Sequence, residues 1–277
     1  MDPSCLVHRL TDEERRQFEE TGLLIIKDVL PPDLTERLAA AVDRIWARER
    51  EEKGISPHDP LFYPNFVGKD DVFVELLDWP LTFPKVWGIL GWNIYLYHSH
   101  LGVTPPVAPG TEREHKRLGW HQDSGRVNVE MESHPRPRLS LKVGYFLSDT
   151  TQAERGNFYV IPGSHLRDAL EFPEDGVSNP PGATPVCVPS GTAVLFDRRL
   201  WHSASLNYST ITRKVLFYGY GYRWLRTKDD MTVAHVLEGC TDPIRRQLLG
   251  DGINANGRFS PTDADVPLKG WLEEHAK

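Results

Sequence analysis

Cysteine, long apolar runs and leader-like segments are scarce or missing in this sequence, and each absence excludes a class of protein. The three cysteines, Cys5, Cys187 and Cys240, are odd in number and widely spaced, which favours neither a disulfide framework nor a cysteine-rich zinc site. No apolar run reaches the ~18 residues of a membrane span, and no basic-then-apolar segment opens the chain. We therefore expect a protein of the reducing cytoplasm that is not inserted in a membrane.

Positive charge is also in deficit. Lys and Arg together number 32 against 39 Asp and Glu, which gives a formal net charge of −7 at pH 7. A nucleic-acid-binding surface needs an excess of basic side chains, so this balance argues against nucleic acid as a partner. The local basic run from Arg223 to Lys228 is interpreted as a solvated face or as the rim of a substrate site. The expected partner is a small molecule, and the sequence does not indicate an oligomeric state.

Apolar residues recur at helical spacing towards both ends of the chain. Thr11, with Glu14 three residues later, predicts a capping box at the start of a short helix. A longer helix is predicted to run through Glu52 and to be closed by Gly54. These patterns predict helices in the first part of the chain and shorter amphipathic helices near its end.

Between the helical ends, β-branched and aromatic residues become frequent, which is typical of strands. We treat residues 1–277 as one domain with a helical N-terminal part (1–92), a core (93–224) and a helical C-terminal part (225–277). Short strands flanked by helices predict a mainly β fold, a double-stranded β-helix or jelly roll of cupin-like type. The predicted strands are Leu23 to Lys27, Ile94 to Val103, Leu139 to Leu147, Phe158 to Ile161, Thr192 to Phe196 and Val215 to Tyr222.

The segment from Trp120 to Asp123 contains a potential pair of metal ligands. Residues i and i+2 of an extended strand point to the same face, so His121 and Asp123 can bind one ion together. A second imidazole, from His202, would complete a two-histidine, one-carboxylate triad on one face of an octahedral ion. That donor set leaves three coordination positions open and is typical of non-haem Fe(II) oxygenases.

A His-x-Asp match by itself is a weak signal. With 11 histidines, a sequence of this size contains about one such match by chance. The context strengthens it, because His202 lies in an apolar run and a strand that carries Arg213 follows. The alternative is a hydrogen-bonded cluster at the mouth of the barrel that binds no metal.

Arg213 follows the distal histidine, where a hairpin could return it to the same pocket. A guanidinium forms paired hydrogen bonds with a carboxylate, so we predict that Arg213 binds the far carboxylate of a keto acid, 2-oxoglutarate. The alternative is a surface ion pair. That role is assigned instead to Lys214, because adjacent strand residues face opposite ways.

Several further polar residues are candidates with two possible roles. His98 and His100 share one face of a predicted strand, and either could line the pocket or be a hydrogen-bonded core histidine; His100 is retained as a candidate cofactor-binding residue. Lys142 is retained too: pointing inward it would need a carboxylate, from the keto acid or an acidic substrate, and pointing outward it would be an edge lysine. Arg126 and Arg223 could bind an anionic substrate or be solvated surface residues.

Two segments of the core are rich in proline, glycine and charge and are too long for tight turns: Pro105 to Lys116 and Pro173 to Pro189. The first precedes His121, and the second precedes the strands that lead to His202. Both are therefore predicted to reach the mouth of the barrel and to bound the substrate.

The ordered set of motifs resembles the phytanoyl-CoA dioxygenase family of Fe(II)/2-oxoglutarate-dependent oxygenases over nearly the whole chain. The resemblance implies iron ligands at His121, Asp123 and His202 and a 2-oxoglutarate-binding arginine at Arg213. No recognisable segment for binding coenzyme A accompanies it. In chain order the matching motifs are Gly22 to Ile26, Trp120 to Asp123, Leu147 to Asp149, Gly156, Ile161 to His165, Trp201 to His202, and Arg213.

The resemblance implies an enzyme that uses Fe(II), 2-oxoglutarate and O2 to oxidise an aliphatic carbon of a small molecule, with hydroxylation as the favoured outcome. Succinate and carbon dioxide would be released. One alternative keeps these cofactors but changes the outcome to desaturation, epoxidation or cyclisation. Another is a non-catalytic jelly-roll protein that binds a metal or a small ligand.

Overall fold

A computed structural model describes residues 1–113, 115–230, 232–252, 255–262 and 265–276. Its helices are α1 (Asp12–Thr21), α2 (Pro32–Lys53), α3 (Asp71–Val74), α4 (Phe83–Leu90), α5 (Gly125–Glu130), α6 (Ala234–Gly239), α7 (Pro243–Leu248), α8 (Ala255–Phe259) and α9 (Pro267–His275). Its strands are β1 (Leu23–Ile26), β2 (Leu61–Pro64), β3 (Ile94–Thr104), β4 (Ser140–Phe146), β5 (Phe158–Val160), β6 (Thr184–Pro185), β7 (Thr192–Asp197), β8 (His202–Ala204) and β9 (Arg213–Tyr222). Short 3-10 helices span Pro3–His8, Val67–Lys69 and Ser164–Leu166.

The strands form two antiparallel sheets. The larger has six strands in the order β1-β7-β4-β9-β3-β2, and the smaller has three in the order β6-β5-β8. Neighbours in space are mostly distant in sequence, as the long crossovers of a jelly roll require. The prediction of a mainly β jelly roll with flanking helices is confirmed.

The larger sheet is covered on both faces, because successive strand residues point in opposite directions. On β7, Ala193 and Leu195 belong to the core that the N-terminal helices cover. Val194 and Phe196 point the other way and pack against the smaller sheet, where the rings of Phe196 and Phe158 lie 5.0 Å apart. Burial on both faces explains why the central strands are nearly continuous apolar runs.

The predicted ends of the first two helices are confirmed. The Glu14 backbone N–H donates to Thr11 Oγ1 at 3.2 Å, and the Thr11 N–H donates to the Glu14 carboxylate at 3.0 Å, which completes the capping box. Gly54 closes α2 at a φ of 64°, a left-handed conformation that glycine adopts without steric cost. None of the helices in the described ranges is both long and apolar enough to cross a membrane.

Among the short elements absent from the sequence-based prediction are β2, α5, β6 and β8. The shortest of them, β6, has two residues and the longest, α5, has six, so their sequences contain too little periodicity to be recognised. β2 pairs with β3 at the edge of the larger sheet, where its Pro64 is tolerated. Residues 1–92 therefore supply both edge strands of this sheet, β1 and β2, in addition to helices.

Candidate metal centre

A cavity of about 600 Å³ lies between the two sheets. Its walls come from β3, β4 and β9 of the larger sheet and from β5 and β8 of the smaller. It is lined by every residue that the sequence analysis placed at the site: His121, Asp123, His202, Arg213, Lys142 and His100.

The three predicted metal ligands come together in this cavity. One potential ligand atom from each of His121, Asp123 and His202 lies within 4.8 Å of the other two. The backbone N–H of His121 donates to the carbonyl of His202 at 3.0 Å, and the reverse bond has the same length. The N–H of Asp123 donates to the carbonyl of Arg198 at 2.9 Å. These bonds fix the first two ligands to the chain around the start of β8.

The segment that carries His121 and Asp123 is not the regular strand that was predicted. His121 forms only an isolated bridge with His202, and Ser124 adopts a left-handed φ of 60° before α5 begins. The chain must turn here to start the helix, so strand pairing cannot continue. The two side chains still converge, because hydrogen bonds at both residues hold the segment against the chain between β7 and β8.

Each imidazole is oriented by a nearby backbone carbonyl. His121 Nδ1 lies 3.0 Å from the Gly119 oxygen, and His202 Nδ1 lies 2.8 Å from the Leu200 oxygen. A carbonyl can only accept, so each Nδ1 carries the proton and each Nε2 keeps the lone pair that a metal needs. Burial lowers the pKa of His202 to about 4, so this imidazole is neutral at physiological pH.

One of the two carboxylate oxygens of Asp123 has no hydrogen-bond partner in the protein. Its Oδ1 accepts a hydrogen bond from Lys142 Nζ at 2.7 Å, whereas its Oδ2 is buried and has no partner. Burial acts to raise the pKa of Asp123, but the charge and hydrogen bond of Lys142 outweigh it and hold that pKa below its ordinary value. An ionised carboxylate with an unpaired buried oxygen, beside two imidazoles whose Nδ1 atoms are bound to backbone carbonyls, fits a divalent transition-metal ion.

Arg213 lies at the start of β9, in the wall of the same cavity. Its Nη1 is 3.4 Å from Thr104 Oγ1, and its buried Nε has no partner. Burial lowers the pKa of Arg213 to about 10, and no carboxylate of the described chain acts against that shift. The side chain is therefore a buried cation at neutral pH without an acidic partner, which is costly unless a ligand supplies the anion.

Lys142 points inward, so the outward alternative is wrong. Its side chain is 10% exposed, and its ammonium pairs with Asp123 rather than facing an empty site. Burial lowers the pKa of Lys142, although Asp123 acts in the opposite direction. The carboxylate that an inward-pointing Lys142 requires is thus supplied by Asp123, one of the three candidate metal ligands. A contact between Lys142 and the keto acid stays a prediction.

His100 and His98 both form part of the cavity wall, and their rings are hydrogen-bonded to each other. His98 Nδ1 lies 2.5 Å from Asp229 Oδ1, and His98 Nε2 lies 3.0 Å from His100 Nδ1. The His100 ring stacks between Phe62 and Phe217, at centroid distances of 4.5 and 4.6 Å. Both histidines therefore line the cavity, and His98 is in addition a buried, hydrogen-bonded histidine.

The structure places neither Arg126 nor Arg223 at the cavity wall. Arg126 is mostly exposed and pairs with Glu130 at 2.6 Å within α5. Arg223 directly follows β9, is 3% exposed and lies beside Gly252, which is between α7 and α8. The alternative of a surface residue holds for Arg126, whereas Arg223 is buried away from the site.

A second cavity, of about 440 Å³, adjoins the first and shares Pro60, Thr104 and Ala204 with it. Part of its wall is the segment Lys116–Gly119, which follows directly on the first long loop, and Asn179 of the second loop faces this segment. The second cavity therefore lies beside the first, on the side of the loops.

The two long loops are joined to each other at this place. Arg117 donates to the carbonyls of Pro173 and Ser178 at 2.5 and 2.8 Å. Asn179 Oδ1 accepts from the Leu118 backbone at 3.0 Å and from Trp120 Nε1 at 2.8 Å. The second loop also contains β6 and is therefore partly regular. Glu114, in the first loop, lies outside the described residues.

Buried polar side chains also hold the metal-binding segment through hydrogen bonds to the backbone. Gln122 Nε2 donates to the carbonyls of Arg167 and Arg199 at 3.0 and 2.5 Å. Asn128 Nδ2 donates to the Asp123 carbonyl at 3.0 Å, and Arg198 Nη1 donates to Asn128 Oδ1 at 2.5 Å. These bonds fix the backbone of the ligands before any metal is bound, as expected of residues that orient metal ligands.

Sequence reasoning missed three residues of the site. Asp229 supports His98 across 131 positions, and Asn179 supports Trp120 across 59, so no local pattern could reveal either. Lys228 lines the cavity. The only signal for it was the basic run that it ends, for which the rim of a substrate site was one of two interpretations.

A jelly roll with two histidines and one aspartate converging between its sheets defines the class of mononuclear non-haem iron oxygenases. The family model for phytanoyl-CoA dioxygenase (PhyH) matches residues 18–215, which is more than half of the chain. The chain therefore belongs to the PhyH family and is an enzyme of the Fe(II)/2-oxoglutarate-dependent dioxygenases.

Individual relatives agree with this assignment. The chain is 25% identical over 229 residues, 78% of this chain and 67% of the relative, to dioxygenase himG of Aspergillus japonicus. It is 20% identical to HygX of Streptomyces hygroscopicus, solved with nickel and 2-oxoglutarate, with a TM-score of 0.59 over 79% of this chain and 90% of HygX. HygX with nickel, 2-oxoglutarate and hygromycin B gives a TM-score of 0.57 over the same shares. At this identity the HygX structures show a shared fold.

Proposed function

We propose that this protein uses Fe(II), 2-oxoglutarate and O2 to hydroxylate an aliphatic carbon of a small-molecule substrate, with release of succinate and carbon dioxide. One observation carries the proposal. The cavity is lined by a complete set of metal-donor atoms and also by Arg213, a buried arginine with no carboxylate partner among the described residues. A metal-binding protein without catalysis would not need the arginine.

The three ligands would hold the ion through His121 Nε2, His202 Nε2 and Asp123 Oδ2, the atoms that have no protein partner. When bound, a ferrous ion supplies the activation of dioxygen that protein side chains cannot provide. The protein contributes fixed donors. Lys142 holds Asp123 Oδ1 at 2.7 Å, so the carboxylate cannot rotate freely and offers its other oxygen.

Arg213 would bind the far carboxylate of 2-oxoglutarate, since its guanidinium is buried and faces no acid. The hydroxyl of Thr104, 3.4 Å from Arg213 Nη1, would complete that end of the site. Lys142 and His100 line the cavity as well, and we keep both as candidate contacts of the keto acid.

Aromatic rings exclude water from the protein side of the metal ligands. The rings of Phe158 and Phe196 each lie 5.3 Å from that of His202, measured between centroids. Phe217 continues this apolar floor towards His100. Such a floor strengthens the electrostatic interactions above it and limits unproductive reactions with solvent.

A small molecule as substrate is supported by the size of the cavity, about 600 Å³, which falls in the range of small-molecule sites. HygX, with the same fold, was crystallised with hygromycin B. We also propose a reducing compartment for this protein, supported by three cysteines that are all free thiols.

Succinate release tests this function. The purified protein is supplied with 2-oxoglutarate under air, with and without Fe(II), and succinate is measured. We expect slow succinate formation that depends on Fe(II) and is lost in His202→Ala. A protein that binds metal and keto acid without forming succinate would instead support the non-catalytic alternative. Once a substrate is found, mass analysis of the product separates oxygen insertion (hydroxylation or epoxidation) from loss of two hydrogens (desaturation or cyclisation), and NMR of the product separates the members of each pair.

A further inference from the structure

The cavity carries more positive than negative charge. Among the described residues that line it, Lys142, Arg213 and Lys228 are cations and Asp123 is the only carboxylate. Asp123 is already paired with Lys142. A divalent metal and a dianionic keto acid cancel each other when bound, so the charges of Arg213 and Lys228 remain. Arg213 would face the keto acid, whereas Lys228 faces no assigned ligand.

The backbone of Lys228 is held in place, and its exposed side chain forms no ion pair with the described residues. Its backbone N–H donates to the carbonyl of Tyr97 in β3 at 3.0 Å. Within the described part of the chain, its ammonium has no carboxylate within 4.0 Å. Burial is the main cause of the lowered pKa of His100, and the charges of Lys142 and Lys228 contribute to it. The field of Lys228 therefore reaches into the cavity.

The acid next to Lys228 in the chain is turned away from it. Asp229 Oδ1 lies 2.5 Å from His98 Nδ1, and Asp229 Oδ2 accepts from the backbone N–H and the hydroxyl of Ser99 at 2.5 and 3.1 Å. The side chain of Asp229 is 2% exposed. Its oxygens are used against β3, so it anchors this segment without compensating the charge of Lys228.

We propose that the cavity selects an organic acid, whose carboxylate is bound by Lys228 and whose apolar body packs on Phe62. The ring of Phe62 is 63% exposed and lines the cavity in contact with His100. This inference rests on the proposed function, because it takes the same cavity as the substrate site. It names the substrate class, an aliphatic carboxylate with a single negative charge.

Calorimetry on the loaded protein tests this selection without turnover. The protein is saturated with Ni(II) and excess 2-oxoglutarate, then titrated with butanoate, hexanoate and octanoate and with the amide and amine of each. We expect at least one carboxylate to bind about 10-fold more tightly than its amide, the effect of one charge-assisted contact. Lys228→Gln should remove the preference and Lys228→Arg should keep it. Lys27→Gln, at an exposed lysine outside the cavity, should leave it unchanged.

Equal binding of carboxylates and amides, a preference for amines, or the absence of carboxylate binding would each overturn the proposal. A preference that survives in Lys228→Gln would overturn the role of Lys228. Failure of the proposed function gives different results: Ni(II) and 2-oxoglutarate do not load before any probe is added, or they load but the Fe(II)-loaded protein forms no succinate. The first result would remove this inference as well, whereas the second leaves the preference for carboxylates to be read from the titrations.

Discussion

At the level of single residues, the site depends on which atoms the protein has already engaged. Nδ1 of His121 and of His202 and Oδ1 of Asp123 all have protein partners. The remaining donor atoms are those that a metal would use. These hydrogen bonds orient the three side chains so that one potential ligand atom of each lies within 4.8 Å of the other two.

The contact between Lys142 and Asp123 predicts an effect on metal affinity. Lys142→Met keeps the length of the side chain but frees Asp123 Oδ1 in a buried position. We expect the affinity for Fe(II) to fall about 10-fold, as is typical when a partner of a metal ligand is removed. Anaerobic Fe(II) titration measures it, with Lys142→Arg as the variant that keeps a donor. Unchanged or tighter binding in Lys142→Met would contradict the positioning role. If Lys142→Met also lowers the affinity for 2-oxoglutarate at saturating metal, Lys142 contacts the keto acid as well.

Arg213→Ala should weaken 2-oxoglutarate binding without weakening metal binding. A charge-assisted bond to a carboxylate contributes roughly 1.5–3 kcal/mol, so the affinity should fall about 10- to 100-fold. Arg213→Lys should be intermediate, because an ammonium lacks the planar fork. Titration of 2-oxoglutarate into metal-loaded protein measures the change. Wild-type affinity in Arg213→Ala would show that another cation binds the keto acid.

The sequence identified the triad because two of its ligands are two positions apart and the third follows a recognisable apolar run. The hydrogen-bond partners of the site residues could not be predicted from the sequence. Lys142 meets Asp123 across 19 positions, and Asp229 meets His98 across 131. Such contacts depend on strand register, which a single sequence does not specify.

At the level of elements, β7 ends at an acid that ties several parts of the fold together. Asp197 is fully buried and accepts from Arg138 and Arg199, each at 2.7 Å. Arg138 also reaches Glu19 of α1. The turn that follows leads to His202, so this network connects the N-terminal helix, the sheet and a metal ligand.

Asp197→Asn should destabilise the fold strongly. Removal of one partner from a buried ion pair costs about 3–5 kcal/mol, because the remaining charge stays buried without compensation. Urea denaturation gives the free energy of unfolding. The matched control is Asp43→Asn, which removes the partner of Lys214 at a half-exposed position and should cost about 0–1 kcal/mol. Similar losses in the two variants would contradict the structural role of Asp197.

The contribution of Asp197 should also depend on pH. Burial acts to raise its pKa, but Arg199 and Arg138 outweigh burial and lower it. A carboxyl with a lowered folded pKa stabilises the fold above its unfolded pKa and loses this effect as the pH falls through the folded pKa. The stability difference between wild type and Asp197→Asn should therefore be complete at neutral pH and shrink in acid. A difference that grows in acid would contradict this sign.

Long elements were predictable and short ones were not. The strand predicted from Ile94 to Val103 is observed as Ile94–Thr104, and that predicted from Leu139 to Leu147 as Ser140–Phe146. Both are long apolar runs in the centre of the larger sheet. β2 and β6 exist only because they pair with β3 and β5, and such tertiary pairing leaves little local signal.

At the level of the whole molecule, the two long loops meet at the second cavity, which adjoins the cavity of the metal ligands. Arg117, which directly follows the first loop, donates hydrogen bonds to the carbonyls of Pro173 and Ser178 in the second loop. The positions of both loops near the barrel mouth were predictable from their places before His121 and His202. The order of strands in the sheets was not, since it is set by pairing between distant segments.

Arg117→Ala should increase the mobility of the second long loop and leave the sheets intact. Loss of the two hydrogen bonds should speed hydrogen exchange of amides within residues 173–189, while exchange in β4 and β9 stays slow. Mass-spectrometric hydrogen exchange measures both regions. The control is Arg126→Ala, which removes an exposed arginine that pairs within α5. Unchanged exchange over residues 173–189 would show that Arg117 does not hold the loops.

The central claim is that His121, Asp123 and His202 bind Fe(II) in a way that leaves room for 2-oxoglutarate in the same cavity. Anaerobic titration of Fe(II) into the protein with 2-oxoglutarate, followed by visible absorption, tests it most directly, because a keto acid chelated to Fe(II) absorbs visible light by charge transfer. We predict a visible band that saturates at one Fe(II) per chain, needs the keto acid, and is absent from His121→Ala, Asp123→Ala and His202→Ala that remain folded. A wild-type protein without the band, or a full-strength band in any of these three variants, would contradict the claim.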